Sequence, residues 1–400
     1  MANAQPGPNR HVVITALGIV QILAWGTSFY FPAVFTPPIL RDTGWPLEWI
    51  VGGVSLGLLV AGLISPKVGA IVERRGGRPV LIASSLFFAS GLATIGFASS
   101  LSVYLIGWLS IGAGMGTGLY DAVFAALGRM YGVEARGAIA TLTLFGGFAS
   151  TVCWPFSAFM IDHLGWRTAC FAYAALHLCV MLPLQILATR PGRTPEHGKK
   201  ADLNDFDAMP APDETTTIVL LGLVLSLAAG VGSIVVVHLL IFLKATGMDT
   251  AAAVALGTLF GPAQVGARII EKLFGSRFHP YWTMLCACAL MLAGLALFAL
   301  DTPLLVLAIL LYGGGYGVSW IARGTLPLAL FGPARFPRLM GRLAFPSLIV
   351  QALAPFIGAL LVEQAGPGDT LAVLCGLAGL NCVLIALLRP AVRRQQRAIA

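Results

Sequence analysis

Residues 48–78, EWIVGGVSLGLLVAGLISPKVGAIVERRGGR, carry the pattern that decides the fold. The first part, 48–70, is an apolar run of the length a helix needs to cross a bilayer, about 20 residues. The second part ends the run in a short gap where Glu73 stands among Arg74, Arg75 and Arg78. Working outward in both directions, the same alternation of apolar run and short gap recurs. Twelve runs are read, at 11–35, 48–70, 79–98, 102–128, 137–160, 168–188, 215–243, 250–272, 281–300, 303–330, 339–362 and 370–388. Their faces are apolar all round, which excludes the alternating strands of a membrane β-barrel. The expected fold is therefore an all-α membrane protein with twelve transmembrane helices.

Charge sets the orientation. Of the 25 Lys and Arg, 21 fall in the gaps on one side, three (Arg41, Arg167 and Lys244) on the other, and Arg323 inside a run. Cations concentrate in cytoplasmic loops, so both termini are expected in the cytoplasm of a multi-pass protein of the cell inner (plasma) membrane. A 58% hydrophobic content is too high for a soluble domain of this length. The net charge of +8 does not indicate nucleic acid. The basic residues are scattered over many loops and the tail Arg389, Arg393, Arg394 and Arg397, a distribution that suits anionic membrane lipid. The polar lead Met1–His11 has one Arg and no small-residue cleavage site, so the first run reads as a retained helix. All seven cysteines lie within apolar runs and read as small buried side chains, not disulfides.

One gap differs from the rest. Residues 190–214 hold Pro, Gly and ten charged residues without an apolar period, the composition of a flexible linker. It divides the chain into two six-helix bundles, 1–189 and 215–400. A short internal repeat supports the division. Gly69-Ala-Ile-Val-Glu73-Arg74-Arg-Gly76-Gly-Arg78 follows the second run, and Gly266-Ala-Arg-Ile-Ile-Glu271-Lys272-Leu-Phe-Gly275-Ser-Arg277 follows the eighth. Paired bundles joined by a long central loop point to alternating access around a midplane site.

The stretch GAIVERRGGRPV at 69–80 resembles the loop 2–3 signature of the major facilitator superfamily, with Glu73 where that family usually has Asp and Gly77 in place of a base. The Gly-Trp-Arg at 165–167 is also similar to a superfamily feature. In physical terms, glycines let helix ends approach, and the carboxylate is expected to pair with Arg74 or Arg78. The resemblance implies a gate formed by Gly69, Glu73, Arg74, Gly76 and Arg78, and a cavity lined by helices 1, 4, 7 and 10. Drug/proton exporters of the superfamily carry an Arg in helix 4. Here Trp108 precedes the glycine run Gly112, Gly114, Gly116 and Gly118 instead, and the exporters' helix 5 motif is poorly matched. The closer likeness is to monocarboxylate and oxalate carriers, which place a substrate-binding Arg in helix 8. Arg268, with Gln264 one turn before it, is the counterpart.

An ionisable group inside a span is costly, so each is a functional candidate. Tyr316, Trp320 and Arg323 recur at i, i+4 and i+7 and share one helical face, able to hold a carboxylate or other oxyanion. Asp121, read as lying about 18 residues into a continuous helix 4, is the candidate for proton coupling. Gln21, Trp25 and Ser28 form a polar and aromatic string on helix 1, and His238 and His177 are the buried-span histidines. No Walker loop, metal-ligand spacing or catalytic group is present, so neither an enzyme, a cofactor nor a bound metal is expected. The reading is a monomeric secondary transporter of a small organic anion, monocarboxylate-like and proton-linked. The alternative is efflux of a drug or a metalloid such as a trivalent arsenical, for which the cysteines would suit a thiophilic cargo.

Overall fold

The computed structural model describes residues 9–190, 212–300 and 304–399. Positions 191–211 of the linker read from sequence lie outside them. Among the described residues the secondary structure is helical, without strands. The order is α1 (Arg10–Gly26), α2 (Phe31–Thr43), α3 (Leu47–Arg75), α4 (Arg78–Gly96), α5 (Leu101–Gly118), α6 (Tyr120–Tyr131), α7 (Ala135–Gly147), α8 (Ala149–Leu176) and α9 (Leu182–Ala188). After the linker come α10 (Pro212–Ala245), α11 (Thr250–Gly257), α12 (Phe260–Phe274), α13 (Pro280–Ala299), α14 (Leu305–Leu387) and α15 (Arg389–Ile399). Among the described residues, eight helical stretches are long and apolar enough to cross a membrane, and two of them, Leu101–Ala188 and Leu305–Gln395, run for 88 and 91 residues. Within α14 the backbone turns left-handed at Gly332 (φ 73°) and Gly366 (φ 82°), a conformation that glycine adopts without steric cost.

Several runs read as continuous are broken. The first is interrupted over Thr27–Tyr30, the fourth at Leu119, the fifth at Phe148 and the eighth at Thr258 and Leu259. Leu119 is extended, with φ −80° and ψ −175°. The break frees the carbonyl of Gly118, and the side chain of Gln21 takes it, with Nε2 donating at 2.6 Å. A freed backbone group in a membrane must find such an internal partner. Hydropathy reports the apolar length of a run, which a one-residue break barely changes.

Contacts divide the described chain into two compact units. Residues up to 190 with Gly332–Phe345 form the first, and 212–331 with 346–399 the second. In the first, α5 packs on α3 and α4 through small residues, and a Cβ on Gly112 would fall 2.6 Å from the carbonyl oxygen of Gly57. Without side chains at that crossing the two backbones meet, the usual device for helix association in lipid. In the second unit, Val231, Val235, Leu239, Phe242, Leu295, Phe298 and Tyr312 belong to one apolar core. Many large apolar side chains, among them Leu63, Phe97, Ile270 and Phe356, remain exposed on outer helix faces. This is the arrangement of a protein whose surroundings are hydrocarbon.

Candidate functional site

The second unit places Tyr316, Trp320 and Arg323 on one face of α14, as their spacing requires. Gly232 of α10 leaves room for the Tyr316 ring, because a Cβ there would collide with it. Phe260 stacks on the same ring at 5.8 Å. Trp320 meets Tyr316 edge to face, with centroids 6.1 Å apart. Arg323 then lies with Cζ 5.5 Å from the Trp320 ring centre, within range of a cation–π attraction. Its side chain is buried at 4% exposure. That places the guanidinium inside the unit and not snorkelled to the surface. Nη1 donates to Ser347 Oγ at 2.6 Å, and Ser347 Oγ in turn donates to the Leu225 carbonyl at 3.4 Å. A narrow recess opens beside these groups, lined by Leu225, Ala228, Ala229, Met284, Tyr316, Ser319, Trp320 and Arg323.

α12 continues past Arg268 to Phe274, and Arg268 is buried at 3% exposure. Its Nε donates to the Gly317 carbonyl at 2.9 Å, and Nη2 to Gln264 Oε1 at 3.4 Å. Gly317 permits this, since a Cβ there would fall 2.6 Å from the Gln264 carbonyl oxygen. Arg268 thus ties α12 to α14 and is outside the lining of the Arg323 recess. His238 is also outside it. Its Nδ1 lies 3.0 Å from the Ile234 carbonyl of its own helix, and its ring packs over Gly358.

In the first unit Gln21 and Trp25 meet, with Trp25 Nε1 donating to Gln21 Oε1 at 3.2 Å and Trp25 packed 5.0 Å from Tyr120. Ser28 is fully buried and its hydroxyl donates to the Ala24 carbonyl. Asp121 is half-buried in the first turn of α6, immediately after the break, and not deep within an unbroken helix. The buried His177 lies in a π-helical turn, 2.9 Å from Thr27 Oγ1 and stacked on Phe88 at 5.0 Å.

The loop signature is also in the first unit, with a different pairing from the one anticipated. Arg10 pairs with Glu134 and Arg167 with Asp42; Glu73 makes no ion pair with Arg74 or Arg78. Its Oε1 is buried without a hydrogen-bond partner. Arg338, Arg74, Arg342 and Arg129 attract the carboxylate through space, and Arg129 Nη1 donates to the Glu73 main-chain carbonyl. Two of these arginines come from Gly332–Phe345, far along the chain, which local spacing could not disclose. The glycines have separate tasks. Gly69 faces Gly341 and Pro337, where a Cβ would fall 2.6 Å from the Pro337 carbonyl oxygen. Gly76 closes α3 with φ 83°. Ser65 Oγ donates to the Gly341 carbonyl at 2.9 Å and fastens the same crossing.

Two further groups escaped the reading of the sequence. Ser347 carries no signal, being an ordinary serine in an apolar run. The Trp166-Arg167 pair was noticed, but its partner was not: Trp166 Nε1 donates to Asp42 Oδ2 at 3.1 Å, Arg167 pairs with the same carboxylate, and Arg167 Nη2 donates to the Ala98 carbonyl at 3.3 Å. The thiophilic reading finds no gathering of sulfur with other ligands. Cys153, Cys170 and Cys288 are buried, Cys179 and Cys286 exposed, and no group of three or more His, Cys, Asp or Glu among the described residues is placed to hold a metal ion.

Long apolar helices with large hydrocarbon side chains on their outer faces define a multi-pass membrane protein. The chain belongs to the Major Facilitator Superfamily, whose family model matches residues 17–280. It is a transport protein and not an enzyme. It is 30% identical over 169 residues to monocarboxylate transporter 13 of Bos taurus, a match covering 41% of this chain and 37% of that protein. The fold is similar to the human organic anion transporter MFSD10 (TETRAN), with a TM-score of 0.74 at 16% identity over 94% of this chain and 100% of that one. It is also similar to the proton:xylose symporter XylE bound to 6-bromo-6-deoxy-D-glucose, with a TM-score of 0.74 at 15% identity over 96% of each chain. The E. coli fucose:proton symporter FucP gives 0.69 at 13% identity over 94% of this chain and 98% of that one.

Proposed function

We propose that this chain is a proton-linked secondary carrier of a small organic anion. Twelve spans form two six-helix halves, 1–189 and 215–400, which rock about a midplane site as a monomer in the inner (plasma) membrane, both termini in the cytoplasm. The observation that carries the reading is Arg323, a guanidinium buried in an apolar recess between an aromatic face and a serine hydroxyl. Arg holds a carboxylate by two parallel hydrogen bonds, and a water-poor recess strengthens that attraction. The name of the bovine relative and that of MFSD10 agree with an anionic cargo. Arg268 and Gln264 support the recess by fixing α12 to α14, and Gln21, Trp25 and Ser28 of the first unit and His238 of the second are further solute-binding candidates. The cluster of Gly69, Glu73, Arg74, Gly76 and Arg78 gates the basic side, and Asp121 takes up and releases the coupled proton.

Uptake of radiolabelled monocarboxylates into proteoliposomes tests the anion assignment. Arg323→Gln is expected to fold with an unchanged melting profile and to lose uptake by on the order of a hundredfold, the cost of truncating one partner of a desolvated charge pair. Wild-type uptake in that variant would refute the assignment. For coupling, Asp121→Asn is expected to make uptake insensitive to an imposed pH gradient. A gradient response equal to wild type would remove Asp121 from the role.

A further inference from the structure

His177 of the first unit is buried and has no part in the transport scheme above, and its two ring nitrogens are held differently. Thr27 Oγ1 donates its single hydrogen to the Leu23 carbonyl at 2.8 Å. Toward His177 Nε2, 2.9 Å away, it can therefore only accept. Nε2 thus carries the ring proton, and Nδ1 is a bare, buried acceptor with no hydrogen-bond partner. Phe88, stacked at 5.0 Å, fixes the plane of the ring.

The turn that carries this ring is itself unusual. His177–Met181 is π-helical, with the Leu182 N–H donating to the His177 carbonyl. Pro183 follows and has no N–H to give to the turn before it. Tyr173, His177, Met181 and Gln185 are all buried, a spacing of four residues where an α-helix repeats about every 3.6. Over those steps a plain α-helix would drift by about 120°. The wider turn takes up part of that drift. His177 meets Thr27, while Gln185 accepts from Ser85 Oγ at 2.8 Å and donates to Ser84 Oγ at 3.1 Å on α4. Thr27 in turn opens the break Thr27–Tyr30 in the first apolar run.

We infer that the Nε2–H of His177 is a latch between this break and the π-turn, and that the two rearrange together when the carrier changes state. The inference rests on the carrier reading above. A π-turn holds more residues than an α-turn and can release the surplus as a shift of register, and such turns are frequent at functional sites. A hydrogen bond between two neutral groups is weak enough to break and re-form. The empty Nδ1 costs free energy where it stands, which an arrangement that offers it a donor would recover.

Hydrogen–deuterium exchange of the purified full-length protein tests the coupling, read in peptides covering 27–30 and 177–182. Thr27→Val and His177→Leu are each expected to speed exchange about fivefold in both peptides, the size of one neutral hydrogen bond. The double variant is expected to go no further than either single one. His177→Gln keeps an N–H and is expected to stay near the wild type. If His177→Leu does not fold, Thr27→Val and His177→Gln decide the matter. In proteoliposomes Thr27→Val is expected to change the maximal rate of butyrate uptake and not its apparent affinity.

Faster exchange confined to the mutated segment, additive single effects, or an unchanged maximal rate would overturn the latch, and with wild-type butyrate uptake intact would leave the anion reading in place. Coupled exchange in a wild-type protein that takes up no butyrate would support the latch and count against the anion reading.

Discussion

Glu73 in the first unit and Arg323 in the second are held in opposite ways. Glu73 stands in the field of four arginines, yet its buried Oε1 has no hydrogen-bond partner and its carboxylate makes no ion pair. Arg323 has a hydrogen bond to a serine, an aromatic face at 5.5 Å and an apolar recess beside it. A carboxylate attracted from several directions and gripped by none is easily released when its neighbours move, which suits a contact made and broken in each cycle. A guanidinium fixed in direction by Ser347 and Trp320 keeps one geometry, which suits repeated recognition of one chemical group. On the function proposed above, the difference separates a charge assigned to motion from a charge assigned to binding.

That separation is open to attack by substitution. The largest expected change in stability comes from Gly341→Leu. The new side chain meets the Ser65 carbonyl and the Gly69 backbone, neither of which can retreat within a helix. Overpacking of this kind costs about 1–3 kcal/mol, to be read as a lower melting temperature, with solute affinity in the surviving folded protein unchanged. A fall in affinity would mean that the two regions are not separate.

Glu73→Gln keeps the shape and removes the charge. Turnover is expected to fall roughly tenfold, the size of a modest coupling free energy, while the apparent affinity in transport assays stays at the wild-type value. The contrast fails if affinity falls and turnover holds. Ser347→Ala should do the reverse on a smaller scale. Loss of one hydrogen bond to a charged group is expected to weaken solute binding about fivefold, without altering the maximal rate, and restoring the hydroxyl as Ser347→Thr should recover part of it. A Ser347→Ala protein with wild-type affinity would show that Arg323 needs no such support.

The apolar runs and their charged gaps were plain in the sequence, because burial in lipid demands long continuous hydrophobicity. The breaks at Leu119 and Phe148 were not, since no Pro marks them and the recovery of the Gly118 carbonyl depends on Gln21, 97 residues away. A glycine run such as 112–118 allows close helix packing, and Gly112 lies against Gly57. That its last member ends a helix was not visible. Tyr316, Trp320 and Arg323 could be grouped by their period alone. Ser347 and the arginines of Gly332–Phe345 could not, because folding brings them in from remote positions whose local patterns are ordinary. Nothing local to Asp42 discloses Trp166 and Arg167 as its partners.

The central claim, that the Arg323 guanidinium reads the negative charge of the cargo, is tested most directly by a matched pair of ligands. Butyrate and butyramide share a carbon skeleton and differ in charge. Thermal stabilisation of the wild type by butyrate and not by butyramide, with both equally ineffective on a folded Arg323→Gln protein, is the predicted result. Equal stabilisation of the wild type and Arg323→Gln by butyrate would contradict the account.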